Sequence, residues 1–512
     1  MSEVPGGTTN SRWRGWLGAV APYAGLIALN LLFRLPLLLN ADNVHSDAAI
    51  VGLQAMHLLN GETARFVWGV THQGAFDVWV VAAFFLLGGP TPLMLMLAPF
   101  VGHLVLSCAL FALLRRLLPG RAAAFITCLT LVFTTQAING IVAYVPRQWS
   151  VTVALCGVVL IAWPTRRTPL RLALGTALAL FSIYLDFFST VWMPAIGLLA
   201  LLVCLELPRE PKAVALRLAG AAAGTIIGVV LVAALRAGLG HPTASDFGLS
   251  FIERNWPLMR DTSLPWLLGA KVWIPGATRH PELWHPPVWV AALQWFGAAS
   301  VVALVLASAT LVFSPRVRWE VKRLVLFGIA ASVTTLGGFL MGTFPSDLWT
   351  TRYLGPLIWS LPFSLAALAS TVRPRRLLAL LAPYLVVAAV AGWLSYGSGA
   401  PSNFDSRRAR QAEVELGDFL RQRGYTHGYA PYWLAYRLTF LWTENPLVAP
   451  LDSDRYQPYS KAVEDARKKA FIFDPNEHRD LADRNLAYVR RQSGRVEVVT
   501  VGGFTVILYD EQ

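Results

Sequence analysis

Two residues with acid–base side chains, His45 and Asp47, lie in the first long polar stretch of the chain, directly after an apolar segment. The pattern from Ser46 to Asn60 predicts a short helix, with Ser46 or Asp47 as its N-cap and Gly61 at its C-terminal end. A carboxylate near the positive end of a helix dipole stays ionised at neutral pH, so Asp47 is a candidate general base. The alternative is that Asp47 only caps a helix in a connecting loop.

The helix predicted after His45 has one apolar face, because Ile50, Leu53 and Met56 follow helical spacing. Such a helix can lie flat on a membrane surface with its apolar face toward the lipid. We therefore expect Asp47 at the boundary between membrane and water.

The composition is that of a membrane protein. Of the 512 residues, 55% are hydrophobic and only 14% are charged, the mean hydropathy is +0.50, and there are 19 tryptophans. A soluble protein of this length does not need so much apolar surface, so we predict a polytopic helical membrane protein. The net charge of +13 sits mainly in short loops between apolar runs, which argues against a nucleic-acid partner. The four cysteines lie within apolar runs, at spacings that fit neither a metal site nor a disulfide framework.

Basic loops alternate with aromatic and polar loops along the chain, and this alternation predicts the topology. Arg12 and Arg14 precede the first apolar run, which lacks a small-residue cleavage site and is predicted to be retained, with the N-terminus in the cytoplasm. The pattern predicts eleven spans and an extracytoplasmic C-terminal region. A different division of residues 76–114 raises the count to about thirteen.

Two domains are predicted. Residues 1–397 form an all-α polytopic membrane domain with outer loops at 40–75 and 238–287, and residues 398–512 form a small α/β extracytoplasmic domain. The second domain begins with an amphipathic helix that Gly424 stops. Its strands are predicted at 447–449, 471–473, 496–501 and 504–509, and two more helices near 460–469 and 479–490.

The sequence lacks several motifs of common enzyme classes. No GxxxxGK[ST] loop, GxGxxG turn, HExxH helix or CxxC pair occurs, so ATP hydrolysis and dinucleotide chemistry lack their usual residues. We predict no metal ligands and no certain cofactor, and the sequence gives no support for a divalent metal.

Polar residues gather, by the predicted topology, on the outer membrane face. Ionisable groups at the ends of apolar spans are costly unless they are paired or functional. A carboxylate with several arginines suits a substrate that carries a phosphate and a hydroxyl to be deprotonated. The alternative for Arg147 and Arg352 is that they snorkel to the interface, or pair with Asp186 or Asp347. The candidate substrate-binding residues are His45, Arg65, His72, Tyr144, Arg147, Asp186, Arg352 and Tyr353.

Three segments carry a resemblance to a known family. The first loop, SDAAIVGLQAMHLLNGETARFVWGVTHQG, resembles the opening loop of the glycosyltransferase family 39 group, within the GT-C fold, which includes protein O-mannosyltransferases and the lipid A aminoarabinose transferase. TRYLGPL, at 351–357, adds to this resemblance, and residues 428–459 resemble the outer domain of uncharacterised bacterial members. Many members carry Glu after the first-loop Asp, whereas Ala48 follows Asp47 here. This departure argues against a second carboxylate and against the O-mannosyltransferase branch.

The resemblance implies an inverting glycosyltransferase of the bacterial inner membrane. A hexosyl or pentosyl group would move from a polyprenyl-phosphate donor to a hydroxyl of an acceptor lipid, glycan or protein on the outer face, with Asp47 as general base. Membrane lipids would surround the spans and no nucleic acid would bind. Two alternatives remain. A cell-envelope polysaccharide ligase or polymerase would share the outer-face site, and a secondary transporter would show repeat-related halves and midplane charges.

Overall fold

The computed structural model describes most of the chain. The described residues are 9–39, 41–132, 147–164, 168–206, 210–237, 246–275, 281–397, 400–475, 478–492 and 494–511.

Helices dominate the first 397 residues. In chain order they are α1 (Thr9–Leu39), α2 (Ser46–Leu59), α3 (Phe76–Gly88), α4 (Pro92–Leu117), α5 (Gly120–Thr127), α6 (Gln148–Ala162), α7 (Thr168–Leu185), α8 (Met193–Cys204), α9 (Pro211–Arg236), α10 (Ile252–Leu258), α11 (Leu264–Leu267), α12 (Val288–Thr310), α13 (Trp319–Met341), α14 (Gly355–Ser364), α15 (Ala366–Thr371) and α16 (Pro374–Gly397). Short 3-10 turns are Cys128–Thr130, Phe187–Trp192, Leu249–Phe251, Leu311–Phe313 and Leu348–Leu354, and Met259–Ser263 is a π turn. Two short strands, β1 (Trp273–Pro275) and β2 (Pro281–Leu283), pair antiparallel.

Nine helical segments in the described ranges are long and apolar enough to cross a membrane. This confirms the predicted polytopic helical domain and makes the chain a multi-pass membrane protein. Two shorter apolar helices, α3 and α6, accompany them. The crossing predicted before residue 139 falls partly on residues 133–146, outside the described part, so the total of eleven to thirteen spans stays a prediction.

Helix α2 differs from its prediction in two respects. Its N-cap is His45, whose extended backbone and side-chain nitrogen cap the helix, so Ser46 and Asp47 already belong to the first turn. Its apolar face is also covered by protein and not turned to lipid, because Ile50 and Leu53 are buried in a cluster formed with α3 and the C-terminal domain. The predicted end is confirmed, since Gly61 adopts a φ of +96° just beyond the last turn.

The second part of the chain completes a small α/β unit. Its elements are α17 (Ala400–Gln422), β3 (His427–Ala430), α18 (Tyr432–Leu441), β4 (Leu447–Pro450), α19 (Gln457–Asp465), β5 (Lys468–Phe473), α20 (Arg479–Val489), β6 (Gly494–Val501) and β7 (Phe504–Glu511). The five strands form one mixed sheet in the order β4-β3-β5-β7-β6. Strands β4, β3 and β5 run parallel, and β7 pairs antiparallel with both β5 and β6.

Most elements of this α/β unit match their predictions, and the fold class is confirmed. The four predicted strands are β4 to β7, and the predicted helices correspond to α17, α19 and α20. Strand β3 was not predicted, because the run HGYA is too short for a period-two signal. The helix near 460–469 ends earlier than predicted, since Lys468 and Lys469 pair with β7 as part of β5. The domain boundary at residues 397 and 398 stays a prediction.

Small residues let α2 and α18 approach each other closely. A Cβ built on Gly52 would lie 2.6 Å from the ring of Phe440, which is 1% exposed. Each Leu, Ile or Phe side chain buried in such a contact stabilises the packing by roughly 1.5–3 kcal/mol. This close packing brings the start of α18 next to the start of α2.

Candidate active site

Asp47 lies half-buried in the first turn of α2 and faces the C-terminal domain. The hydroxyl of Tyr432, at the start of α18, donates a 2.6 Å hydrogen bond to Asp47 Oδ1. In the described part of the chain, Tyr432 is the hydrogen-bond donor that reaches this carboxylate. The alternative prediction was that Asp47 only caps the helix. His45 fills that role, since its Nδ1 accepts a hydrogen bond from the amide of Ala48 at 3.3 Å. The Asp47 carboxylate is therefore not used as the helix cap.

Tyr432 is fixed at both its backbone and its ring. Its amide donates to Asp452 Oδ1 at 3.1 Å, and its carbonyl accepts from Ser46 Oγ at 2.7 Å. The guanidinium of Arg455 lies 5.7 Å from the ring centroid and donates to the carbonyl of Gly69 at 3.0 Å. The phenol thus reaches Asp47 from a backbone that contacts α2 directly.

The protonation states around Asp47 have clear physical causes. Burial raises the pKa of Tyr432, and the negative charge of Asp47 raises it further, so the phenol keeps its proton and acts as the donor. Burial lowers the pKa of His45; Arg352 and Arg437 lower it further, while Asp47 opposes them. His45 is therefore neutral at neutral pH, and its Nδ1 is free to accept the amide proton of Ala48.

A second group of predicted residues forms around Asp186, which is 1% exposed. Its Oδ2 accepts from Arg147 Nε at 2.9 Å and from Gln73 Nε2 at 3.3 Å, and its Oδ1 accepts from the amide of Phe188 at 2.9 Å. The alternative of an ion pair between Arg147 and Asp186 is therefore confirmed. This arginine is held by a carboxylate and is only partly available to a substrate anion.

Arg352 differs from Arg147 in this respect. The two guanidinium carbons lie 5.3 Å and 5.0 Å from the ring centroid of Tyr353, which they flank. Asp347 does not pair with Arg352; its carboxylate caps the turn Leu348–Leu354 by accepting from the amide of Thr350 at 3.1 Å. Within the described ranges, no carboxylate lies at ion-pairing distance from Arg352, so its charge is the less neutralised of the two.

The remaining predicted residues fall into three situations. His72 lies near the residues around Asp186 and also near Arg455. Burial lowers the pKa of its ring, and the charges of Asp186, Arg147 and Arg455 act on it as well. The Arg65 guanidinium is exposed and donates to the carbonyl of Ala237 at 3.2 Å, so it contacts the end of α9. Tyr144 lies outside the described residues.

Sequence reasoning missed Tyr432 and Arg455, because both belong to the C-terminal domain. The signal was present in the run YAPYWLAYRL, in which Tyr432 and Tyr436 share one helix face at a spacing of four. Nothing in the sequence alone indicated that this face packs on α2. In the part of the chain that the structure describes, no group of three or more His, Cys, Asp or Glu side chains is arranged to hold a metal ion.

The other end of α2 carries a different polar cluster. His57 lies between two carboxylates, with Nδ1 2.6 Å from Glu62 Oε2 and Nε2 2.7 Å from Glu444 Oε1. The hydroxyl of Tyr456 donates to Glu62 at 2.9 Å, and that of Tyr459 donates to Glu444.

The hydrogen bond with Glu444 raises the pKa of His57, burial lowers it, and Glu62 raises it again, with a net increase. The ring of Trp68 stacks on that of Tyr456 with centroids 3.8 Å apart. We call His57, Glu62, Glu444, Tyr456 and Tyr459 the anchor cluster, because it ties the first loop to the C-terminal domain.

Comparison with known proteins places the fold. No protein-family model matches the chain, and no curated protein matches it. The crystal structure of ArnT from Cupriavidus metallidurans bound to undecaprenyl phosphate is similar, with a TM-score of 0.57 and 13% sequence identity over 96% of this chain and 98% of that chain. The oligosaccharyltransferase of Archaeoglobus fulgidus in its apo form matches with a TM-score of 0.49 and 12% identity, over 90% of this chain and 70% of that chain.

The class of protein follows from the architecture and from the likeness to ArnT over nearly the whole of both chains. The chain has the GT-C fold of membrane glycosyltransferases, with a polytopic helical domain and a small α/β domain after it. This confirms the fold that the first loop predicted. The two parts meet at α2, where Asp47 lies.

Proposed function

We propose that the protein is an inverting glycosyltransferase that moves a sugar from a polyprenyl-phosphate donor to a hydroxyl acceptor. One observation carries the proposal: the carboxylate of Asp47 stands in the first turn of α2, is not used as a cap, and has one neutral donor on Oδ1. Its neighbour His45 responds to the charges of both Asp47 and Arg352, so the base lies near a cation that has no carboxylate partner among the described residues. Support also comes from ArnT, whose crystal structure holds undecaprenyl phosphate.

The chemistry needs few groups. Asp47 takes the proton of the acceptor hydroxyl while the acceptor oxygen forms a bond to the anomeric carbon. The bond from that carbon to the phosphate oxygen breaks, and polyprenyl phosphate leaves with the electron pair. A guanidinium hydrogen-bonds phosphate with two donors at any working pH, so Arg352 is the residue we assign to the leaving phosphate. Arg147 and Tyr353 complete this side of the site.

We further propose that the site lies on the outer face of a bacterial inner membrane. The basic loops that predict a cytoplasmic N-terminus support this orientation, as does the position of the C-terminal domain against α2. Cysteines introduced at Ser346 and Arg455 should react with a membrane-impermeant thiol reagent in intact cells, and one at Arg375 only after permeabilisation. Labelling of the Arg375 position in intact cells would reverse the orientation.

The proposal is tested with Asp47→Asn in membranes that receive a radiolabelled polyprenyl-phosphate monosaccharide and a cell-envelope extract. We expect a folded, inserted protein whose transfer rate falls by at least about a hundredfold, since a positioned general base contributes that much. Asp42→Asn, in the same loop and also half-buried, is the matched control and should retain activity. Near-normal transfer by Asp47→Asn would remove this residue from the mechanism.

The same assay separates the alternatives. A polysaccharide ligase or polymerase would use a lipid-linked oligosaccharide and leave the monosaccharide donor untouched. A secondary transporter would release no polyprenyl phosphate from either donor.

A further inference from the structure

We propose that Tyr432 is a positioning residue of the active site, supplied by the C-terminal domain, which holds Asp47 Oδ1 and leaves Oδ2 for the acceptor proton. This inference rests on the proposed function of Asp47 and adds a second group to it. It makes the C-terminal domain part of the reaction site and not only a cover.

The orientation of the Asp47 carboxylate decides which of its oxygens can meet the acceptor. A general base must present one oxygen to the acceptor hydroxyl at hydrogen-bond distance, and a carboxylate that rotates freely spends little time in that pose. The 2.6 Å bond from the Tyr432 hydroxyl fixes Oδ1 and therefore fixes the direction of Oδ2. In the described residues, Tyr432 is the donor to Asp47, so it alone sets this orientation.

Tyr432 is itself held rigidly. Its amide and carbonyl are bonded to Asp452 and Ser46, and its side chain is only 7% exposed. Arg455 closes the remaining side, because its guanidinium lies over the ring while it donates to Gly69. A group that is pre-organised in this way can orient another without moving during the reaction.

The direction of the hydrogen bond points to the same role. The Tyr432 hydroxyl donates to Asp47 Oδ1, so it occupies that oxygen and leaves the lone pairs of Oδ2 for the acceptor hydroxyl. Removing the hydroxyl should therefore leave the carboxylate without the bond that orients it. A residue that only filled space between α2 and α18 would have no such effect.

The test is Tyr432→Phe, which keeps the ring and removes only the hydroxyl. We expect kcat to fall by about ten- to a hundredfold, the worth of a hydrogen bond to a charged group, with the KM values for donor and acceptor unchanged. A fall in kcat at unchanged KM separates this positioning role from a loss of substrate binding. Tyr436→Phe is the matched control: this tyrosine lies one turn further along α18, bonds Asp454 and the amide of Arg455, and does not reach Asp47.

The outcomes are distinguishable from a failure of the proposed function. If Asp47→Asn abolishes transfer while Tyr432→Phe keeps the wild-type kcat, the proposed function stands and the role of Tyr432 is refuted. Faster transfer by Tyr432→Phe would also refute it, because the hydroxyl would then obstruct the base. Equal losses of kcat in Tyr432→Phe and Tyr436→Phe would reduce Tyr432 to a packing residue.

Discussion

The two ends of α2 contact the same domain in different ways. At the N-terminal end, half-buried Asp47 receives one hydrogen bond from the described residues, donated by Tyr432. At the C-terminal end, His57 has a carboxylate on each ring nitrogen, and a tyrosine hydroxyl donates to each of those carboxylates. The Asp47 carboxylate can still accept a hydrogen bond from a ligand, whereas the groups around His57 bond to one another.

This difference separates two tasks that one helix performs. The anchor cluster satisfies its own charges and hydrogen bonds, so it can hold the domain without binding anything else. The Asp47 end is incomplete without a further partner, which is what a site for a reacting hydroxyl requires. Gly52 lies between the two ends and sets how closely the domain can approach. Changes at the three places should therefore have different consequences.

The largest effect is expected from Gly52→Val, which acts on both ends at once. The added side chain would meet the buried ring of Phe440, and such overpacking costs about 1–3 kcal/mol. We expect amide hydrogen exchange in α18 to accelerate by up to about a hundredfold and transfer to fall by more than in Tyr432→Phe. Gly337→Val in α13 is the matched control, because a Cβ there has no neighbour within 4 Å among the described residues. Unchanged exchange in α18 would show that this contact does not hold the domain.

A smaller and more selective effect is expected from Arg352→Ala, which should alter donor binding and leave the docked domain intact. Losing a charge-assisted hydrogen bond of about 1.5–3 kcal/mol should weaken apparent donor affinity roughly ten- to a hundredfold, and Arg352→Lys should retain part of it. Donor saturation curves in reconstituted membranes, at a constant acceptor concentration, measure this apparent donor affinity. Arg147→Ala is the comparison: it leaves the buried Asp186 carboxylate without the cation that pairs with it, so it should lower the thermal stability of the protein. An unchanged donor curve for both variants would make these arginines interfacial anchors.

The smallest effect is expected from pH, and only at the anchor cluster. The pKa of His57 is raised above 6.5 in the docked protein, so its contribution is complete below pH 6.5 and is lost as pH rises through the raised value. Burial raises the pKa of Glu444, but the hydrogen bonds from His57 and Tyr459 lower it below 4.5, so its contribution is lost only in stronger acid.

We therefore expect α18 to exchange up to about fivefold faster at pH 8 than at pH 6 after correction for intrinsic exchange, because a part-exposed ion pair contributes roughly 0.2–1 kcal/mol. Glu444→Gln should abolish most of the difference. An equal pH dependence in that variant would place the titrating group elsewhere.

The sequence predicted the parts of the site that depend on local pattern. The apolar spans and the polar loop after the first of them located Asp47, and the order of strands and helices after residue 398 indicated an α/β domain. The N-cap was wrong by one or two residues, because Ser and Asp are usually preferred there while the chain places His45 in the extended conformation. The prediction that the apolar face of α2 is turned to lipid was also wrong, because its apolar residues are covered by a domain encoded far downstream.

The sequence pattern could not show which distant segments of the chain pack against each other. Tyr432 and Asp47 are 385 positions apart, and only tertiary packing brings them together. The same holds for His57 and Glu444, which have unremarkable local sequence contexts. The pair of Arg147 and Asp186 is different, because both residues stand at predicted span ends on one membrane face. The sequence therefore indicates Asp186 as one of two possible carboxylate partners for this arginine.

The separation of 385 positions between Asp47 and Tyr432 also has a consequence for biosynthesis. At about 5–20 residues per second, a ribosome that has inserted the first loop needs roughly 20–80 s more to synthesise Tyr432. During that interval the growing chain carries the base without the hydroxyl that orients it. On the role proposed for Tyr432, transfer reaches its full rate only once the α/β domain has been translated, translocated and folded against α2. A chain stalled or truncated before Tyr432 would therefore enter the membrane and consume the lipid-linked sugar around it about ten- to a hundredfold more slowly.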